Sequence, residues 1–209
     1  MLDRFRFIIF GIALTYHTYI MKTLVLIAHP NMGASKVNRA WRDAIAESDV
    51  TLRELYAVYP NGRIDVAKEQ ELLLSHDRIV FQHPFYWYSV PPLLKQYFDE
   101  VLTYGFAYGE GGDKLSGKEW IEAITCGGPE PSYQVGGYNR YTTSELLRPI
   151  EATANLCQML FRAPFVAYGV LRLSAEDLAR TAEAYRKYIS DPNLDISTPG
   201  KLFAKFSQS

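Results

Sequence analysis

The sequence predicts an α/β chain built on one open sheet of five parallel strands with helices on both faces. Three observations predict it. Short apolar, β-branched runs alternate with stretches of helical spacing along most of the chain, the pattern of repeated strand–helix–strand units. The first run, Thr23 to Ala28, is apolar without alternation, as a strand buried on both faces must be. At 209 residues, 48% of them hydrophobic, the chain suffices for one core and one domain, which we place at 22–190.

The elements follow in order. Strand one ends at His29-Pro30, and Ser35 then stands as an N-cap before Val37, Ala40, Trp41, Ala44 and Ile45, which share a helical face. Thr51 to Leu55 reads as a second strand, Pro60-Asn61-Gly62 as a turn, and Asp65 as the cap of a helix reaching Leu74. Arg78 to Phe81 is a third strand that ends at His83-Pro84. Beyond the aromatic stretch Phe85 to Tyr88, Pro91-Pro92 suits the first turn of a helix, where a missing N–H costs nothing; this helix extends to Thr103. A Gly-rich loop runs from Gly105 to Gly117. Trp120 to Thr125 is a fourth strand, Ser144 to Leu160 one helix, and Phe165 to Val170 a fifth strand. Ser174 to Ile189 closes the domain as a helix with Ala175, Leu178, Ala182 and Tyr185 on one stripe.

The two ends need separate treatment. Arg4 and Arg6 followed by the apolar run Phe7 to Leu14 imitate a secretion signal, but the run is too short to span a bilayer. Tyr16, His17 and Thr18 stand where small residues should allow cleavage. Residues 1–21 are therefore expected to be a non-native extension, with a membrane-touching segment as the alternative. The tail 191–209, rich in Pro, Ser and Lys, is expected to be poorly ordered. A net charge of −1 leaves no basic footprint for nucleic acid. Cys126 and Cys157 lack the spacing of a zinc or redox motif and suit a reducing compartment, so a cytoplasmic location is expected.

Ligands of open parallel sheets bind beyond the carboxyl ends of the strands, so the loops after strands one, three and four matter most. The first carries His29 and Ser35-Lys36-Val37-Asn38, which sets hydroxyl, amide and backbone N–H donors at a helix N-terminus fit for a phosphate. An ordinary N-cap explains that loop equally well. The second carries Phe85, Tyr86, Trp87 and Tyr88, whose lack of an amphipathic period means that some rings should line a cavity for a flat heterocycle. Core packing or a subunit contact is the alternative. The third is Thr125-Cys126-Gly127-Gly128-Pro129-Glu130, where paired glycines let backbone N–H groups approach a heterocycle edge, although a simple turn explains two glycines almost as well.

Other motifs fail on context. Gly112 to Lys118 satisfies GxxxxGK, yet Glu119 replaces the hydroxyl residue and a strand follows where a helix is required. Gly109 and Gly111 begin a GxGxxG that Lys114 breaks. No HExxH or GxSxG occurs, and His29 with His83 lack the carboxylate or thiolate needed to complete a metal site.

The stretches Leu26 to Pro30, Phe81 to Lys95, Tyr104 to Gly109 and Ile124 to Gly128 resemble the NAD(P)H dehydrogenase (quinone) family of flavodoxin-like proteins. Within it, the sequence is most similar to the ancillary oxidoreductases of the glutathione-regulated potassium-efflux system and to general stress NAD(P)H oxidoreductases. The resemblance covers about Lys22 to Ile189 and rests most firmly on the long aromatic–proline motif. It implies a flavodoxin-like fold, bound FMN (FAD in longer relatives), NAD(P)H as co-substrate, a homodimer, and two-electron ping-pong reduction of quinones. By position, His29, Ser35, Lys36, Val37 and Asn38 would surround the flavin phosphate and ribityl chain. Phe85, Tyr86, Trp87 and Tyr88 would flank the ring system, with Thr125, Cys126, Gly127 and Gly128 along its edge. Tyr133 falls where animal quinone reductases of the family place a tyrosine that steadies charge on the reduced flavin, and Asn139 replaces its histidine partner. The resemblance also implies a second role, as a flavin-binding regulatory subunit of a potassium-efflux antiporter on the cytoplasmic face of the inner membrane. A one-electron flavodoxin shuttle fits poorly, because such carriers are strongly acidic and this chain is nearly neutral.

Overall fold

The computed structural model describes residues 21–194. The expectations for a non-native extension and for a poorly ordered tail fall largely on residues outside that range. Strand β1 (Thr23–Ile27) is fully buried, and α1 (Val37–Ile45) follows it on one face of the sheet. Next come β2 (Val50–Glu54), a short α2 (Leu55–Val58), and α3 (Val66–Leu74), whose N-cap Asp65 accepts from the Lys68 N–H at 3.2 Å. Strand β3 (Arg78–Pro84) runs three residues past Phe81, taking His83 and Pro84 into the sheet. After α4 (Pro92–Val101) and β4 (Glu119–Thr125) come α5 (Thr143–Leu146), α6 (Arg148–Leu156), β5 (Leu160–Phe161), β6 (Phe165–Ala167) and α7 (Ala175–Ser190).

All strand pairs are parallel and the order is β2-β1-β3-β4-β5, with β6 also paired to β4. This is the flavodoxin-like winding, whose switch point lies between β1 and β3. The fifth position is filled by two short strands rather than one. Arg162, Ala163 and Pro164 interrupt it, and a proline there can donate nothing to the ladder.

The single helix expected over Ser144 to Leu160 is a correction: it divides at Leu147 and stops at Leu156. Its end is a left-handed Gln158, with the Met159 N–H returning to the Ala154 carbonyl at 2.9 Å and the Gln158 N–H to Asn155 at 3.0 Å. Those two bonds close a Schellman ending without the glycine that normally marks one.

Alternation along the strands divides the core into two layers. Leu24, Leu26, Phe81 and Trp120 face α4 and α6, with the Phe81 and Trp120 rings 4.4 Å apart. Val25, Ile27, Val80 and Ile121 face α1 and α7, where Trp41 stacks on Tyr185 at 4.8 Å. Because Pro84 is level with Thr125, and Ile27 with Gln82, three strands end side by side at one carboxyl edge. That edge carries the site.

Candidate functional site

The loop from β1 to α1 is folded by its own polar groups. His29 Nδ1 accepts from the Asn31 N–H at 3.1 Å, Asn31 Oδ1 from the Ala34 N–H at 3.1 Å, and Ser35 Oγ from the Asn38 N–H at 3.3 Å. The last bond lets Ser35 Oγ take one free N–H of the first turn from one residue ahead of Lys36, which holds the N-cap position, while the Lys36 and Val37 N–H groups keep no intrahelical partner. Together with the helix dipole they form an anion-binding end. Burial lowers the pKa of His29, and with Nδ1 accepting, its proton resides on Nε2. The imidazole is thus a neutral donor at neutral pH.

Asn38 is buried and faces inward. Its side-chain amide donates to Thr125 Oγ1 at 3.0 Å, and its backbone carbonyl accepts from Gln82 Nε2 at 2.9 Å. Gln82 in turn accepts from Tyr185 at 3.0 Å. This chain ties the start of α1 to β3, β4 and α7, so the anion-binding end cannot shift against the sheet.

Above these groups opens a cavity of about 470 Å³, within the range of small-molecule sites. His29, Ser35, Lys36, Val37, Asn38, Phe85, Tyr86, Thr125 and Gly127 all line it. A second cavity of about 400 Å³ shares Phe85 and Gly127 with the first and adds Trp87, Tyr88, Gly128, Tyr133 and Asn139. The two are therefore contiguous around the Phe85 ring.

The aromatic stretch is a tight hairpin. Tyr86 and Ser89 exchange both backbone hydrogen bonds, at 3.1 and 2.9 Å, around Trp87 (φ 50°) and Tyr88 (φ 61°). Two successive left-handed residues make it a type I′ geometry, which normally takes Asn-Gly. The result splays the rings: Trp87 is 93% exposed, while Phe85 stays partly buried in the core. Tyr88 reaches across the second cavity to donate to Asn139 Oδ1 at 3.0 Å.

Tyr133 stands at the junction of these groups. Burial first, and then the neighbouring Cys126 thiol, push its pKa up to about 12, so the hydroxyl holds its proton at neutral pH. A Cβ on Gly128 would lie 3.2 Å from the Tyr133 ring and 3.6 Å from Asn139 Nδ2. Glycine at 128 is what lets Tyr133 and Asn139 close on the loop.

Cys126 is a correction. Its side chain is buried in the core layer facing α4, its N–H donates to the Ala167 carbonyl at 2.8 Å, and its own carbonyl accepts from Val170 at 3.2 Å. It lines neither cavity, because strand alternation turns it to the far face and β6 takes its backbone. The loop after the fifth strand supplies what sequence reasoning missed: Val170 and Leu171 line the first cavity, and Leu171 is 85% exposed. Its position at the carboxyl edge was the signal that could have found it. Among the described residues, no group of three or more His, Cys, Asp and Glu side chains is arranged to hold a metal, and His83 lies buried in the sheet.

Residues 21–189 match the model of the flavodoxin-like fold family. The chain is 51% identical over 176 residues to the NAD(P)H oxidoreductase YdeQ of Bacillus subtilis, covering 84% of this chain and 89% of that one. The chain belongs to the flavodoxin-like NAD(P)H oxidoreductase family. A second family member, the glutathione-regulated potassium-efflux system ancillary protein KefG of Cronobacter sakazakii, is 46% identical over 86% of this chain and 96% of its own length. Among solved structures, general stress protein 14 of Treponema denticola, in complex with FMN, has a TM-score of 0.76 and 43% identity, covering 80% of this chain and 97% of that one. The NADPH-quinone reductase of P. pentosaceus has a TM-score of 0.75 and 36% identity, covering 82% and 99%. Family membership agrees with the winding of the sheet.

Proposed function

We propose that this oxidoreductase binds FMN across the two contiguous cavities and passes hydride from NAD(P)H to a quinone. The observation that carries this reading is the pairing of an anion-binding helix end in one cavity with aromatic walls in the next. A phosphate suits the Lys36 and Val37 N–H groups, Ser35 and the His29 Nε2–H. A flat ring system suits the space beside Phe85, Trp87 and Tyr88, with the Gly127-Gly128 backbone along its edge. FMN solved in general stress protein 14 of Treponema denticola supports the choice of cofactor.

When bound, FMN supplies the two-electron chemistry that no side chain here can perform. The chain's own residues then orient and protonate. Tyr133 presents a protonated hydroxyl, and the Tyr88–Asn139 bond fixes the far wall. One pocket serving donor and acceptor in turn gives two-electron ping-pong kinetics. Purified protein should be yellow, release FMN rather than FAD on denaturation, and oxidise NADH or NADPH with a benzoquinone along parallel double-reciprocal lines. Protein loaded with FMN that oxidises neither nucleotide would sink the proposal.

The likeness to KefG supports a compatible second reading, in which the protein also docks on a potassium-efflux antiporter. Among the described residues, no helix is long and apolar enough to cross a membrane. Co-purification with a transporter encoded beside it tests this.

A further inference from the structure

Two residues before the Phe85 ring, a fully buried histidine makes contacts that the proposed chemistry does not use. His83 Nε2 lies 2.6 Å from Glu122 Oε2, both side chains having no solvent exposure. The other Glu122 oxygen accepts from Trp120 Nε1 at 2.7 Å. His83 Nδ1 lies 3.0 Å from the Pro84 carbonyl oxygen, which can only accept, so Nδ1 carries a proton. Every polar atom of the group is thereby partnered, as burial at this depth demands.

The far end of that chain is the cavity wall. Pro84 has no N–H, so the ladder between β3 and β4 lacks a donor at its last rung. The Phe85 N–H then bonds the Thr125 carbonyl at 2.9 Å, and Pro84 and Phe85 both line the first cavity. The backbone at this wall is thus held by β4 on one side and by an imidazole on the other.

We propose that His83 is a positioning residue: its Nδ1–H, aimed by Glu122 on the opposite ring nitrogen, holds the Pro84 carbonyl and so fixes the Pro84–Phe85 wall against which FMN lies. This rests on the cofactor reading given above. Glu122 sets the tautomer and ring orientation, and the effect on the cofactor passes through the backbone.

Asparagine places an amide N–H where the ring has Nδ1, and glutamine where it has Nε2. Two double variants, H83N/E122Q and H83Q/E122Q, therefore keep one donor each without stranding a buried charge. FMN affinity of flavin-free protein, read by quenching of flavin fluorescence, should stay within about twofold of wild type in the first and fall about tenfold or more in the second. Equal affinities in the two variants would overturn the positioning role while leaving FMN binding intact. Failure of the wild type to bind FMN would instead remove the cofactor reading, and this inference with it. Should neither variant fold, nitrogen-15 NMR of the wild-type His83 ring decides: a proton on Nδ1 supports the role, and a bare Nδ1 overturns it.

Discussion

Tyr133 concentrates the chemistry that single residues contribute. Its phenol is raised by burial and by the Cys126 thiol to about 12, so it can donate to a developing negative charge without itself ionising. Tyr133→Phe should lower kcat/KM for quinone reduction about tenfold or more while FMN content stays unchanged, measured by steady-state rates per bound flavin. The same shift has a stability sign. In the unfolded chain the phenol ionises near about pH 10, whereas the folded one ionises near about 12. Its contribution is therefore full below pH 10 and lost as pH climbs to about 12. Urea melts across that window should show a steeper loss in wild type than in Tyr133→Phe. Much of the residue-level site was legible, since His29, Ser35, Thr125 and Gly128 sit where the loops after three strands placed them. Cys126 was not, because β6 takes its N–H through the Ala167 carbonyl and so carries strand pairing and its alternation one residue past Thr125.

At the scale of elements, two local geometries are achieved without the residue that usually signals them. Gln158 ends α6 in a conformation that glycine normally marks, so helical spacing alone carried the helix on to Leu160. The Tyr86–Ser89 hairpin likewise puts Trp87 and Tyr88 where a type I′ turn favours Asn-Gly. Replacing the pair, as Trp87→Asn with Tyr88→Gly, should leave stability within about 1 kcal/mol of wild type or raise it, because backbone strain is relieved and little buried area is lost. Thermal melts of flavin-free protein check this, and FMN binding should weaken as two cavity walls disappear. The buried ions act at this scale too. Glu119 accepts from Arg78 at 2.6 Å and from Arg162 Nε at 2.8 Å, joining β3, β4 and the segment between β5 and β6. Glu119→Ala strands the Arg78 guanidinium in the core and should cost about 3–5 kcal/mol by urea denaturation.

For the molecule as a whole, three of the most exposed apolar side chains among the described residues stand at the site. Trp87 and Tyr138, at 93% and 91% exposure, line the second cavity, and Leu171 lines the first. A rim of this kind is the sort of surface a second subunit covers. We propose a homodimer closed over the cavities: sedimentation equilibrium should give twice the chain mass, and Trp87→Glu should shift the protein toward monomer. A monomeric wild type would refute it. The opposite end of the sheet bears on how the chain comes to exist at all. Besides Glu119, Arg78 donates to the carbonyls of Ile189 and Asp191 at 2.6 and 2.8 Å. Arg78, on a strand made early in synthesis, thus has only one of these three acceptors until α7 has been made. A chain shortened to end before Ala175 loses both of those acceptors and should unfold at lower urea than the domain that keeps α7.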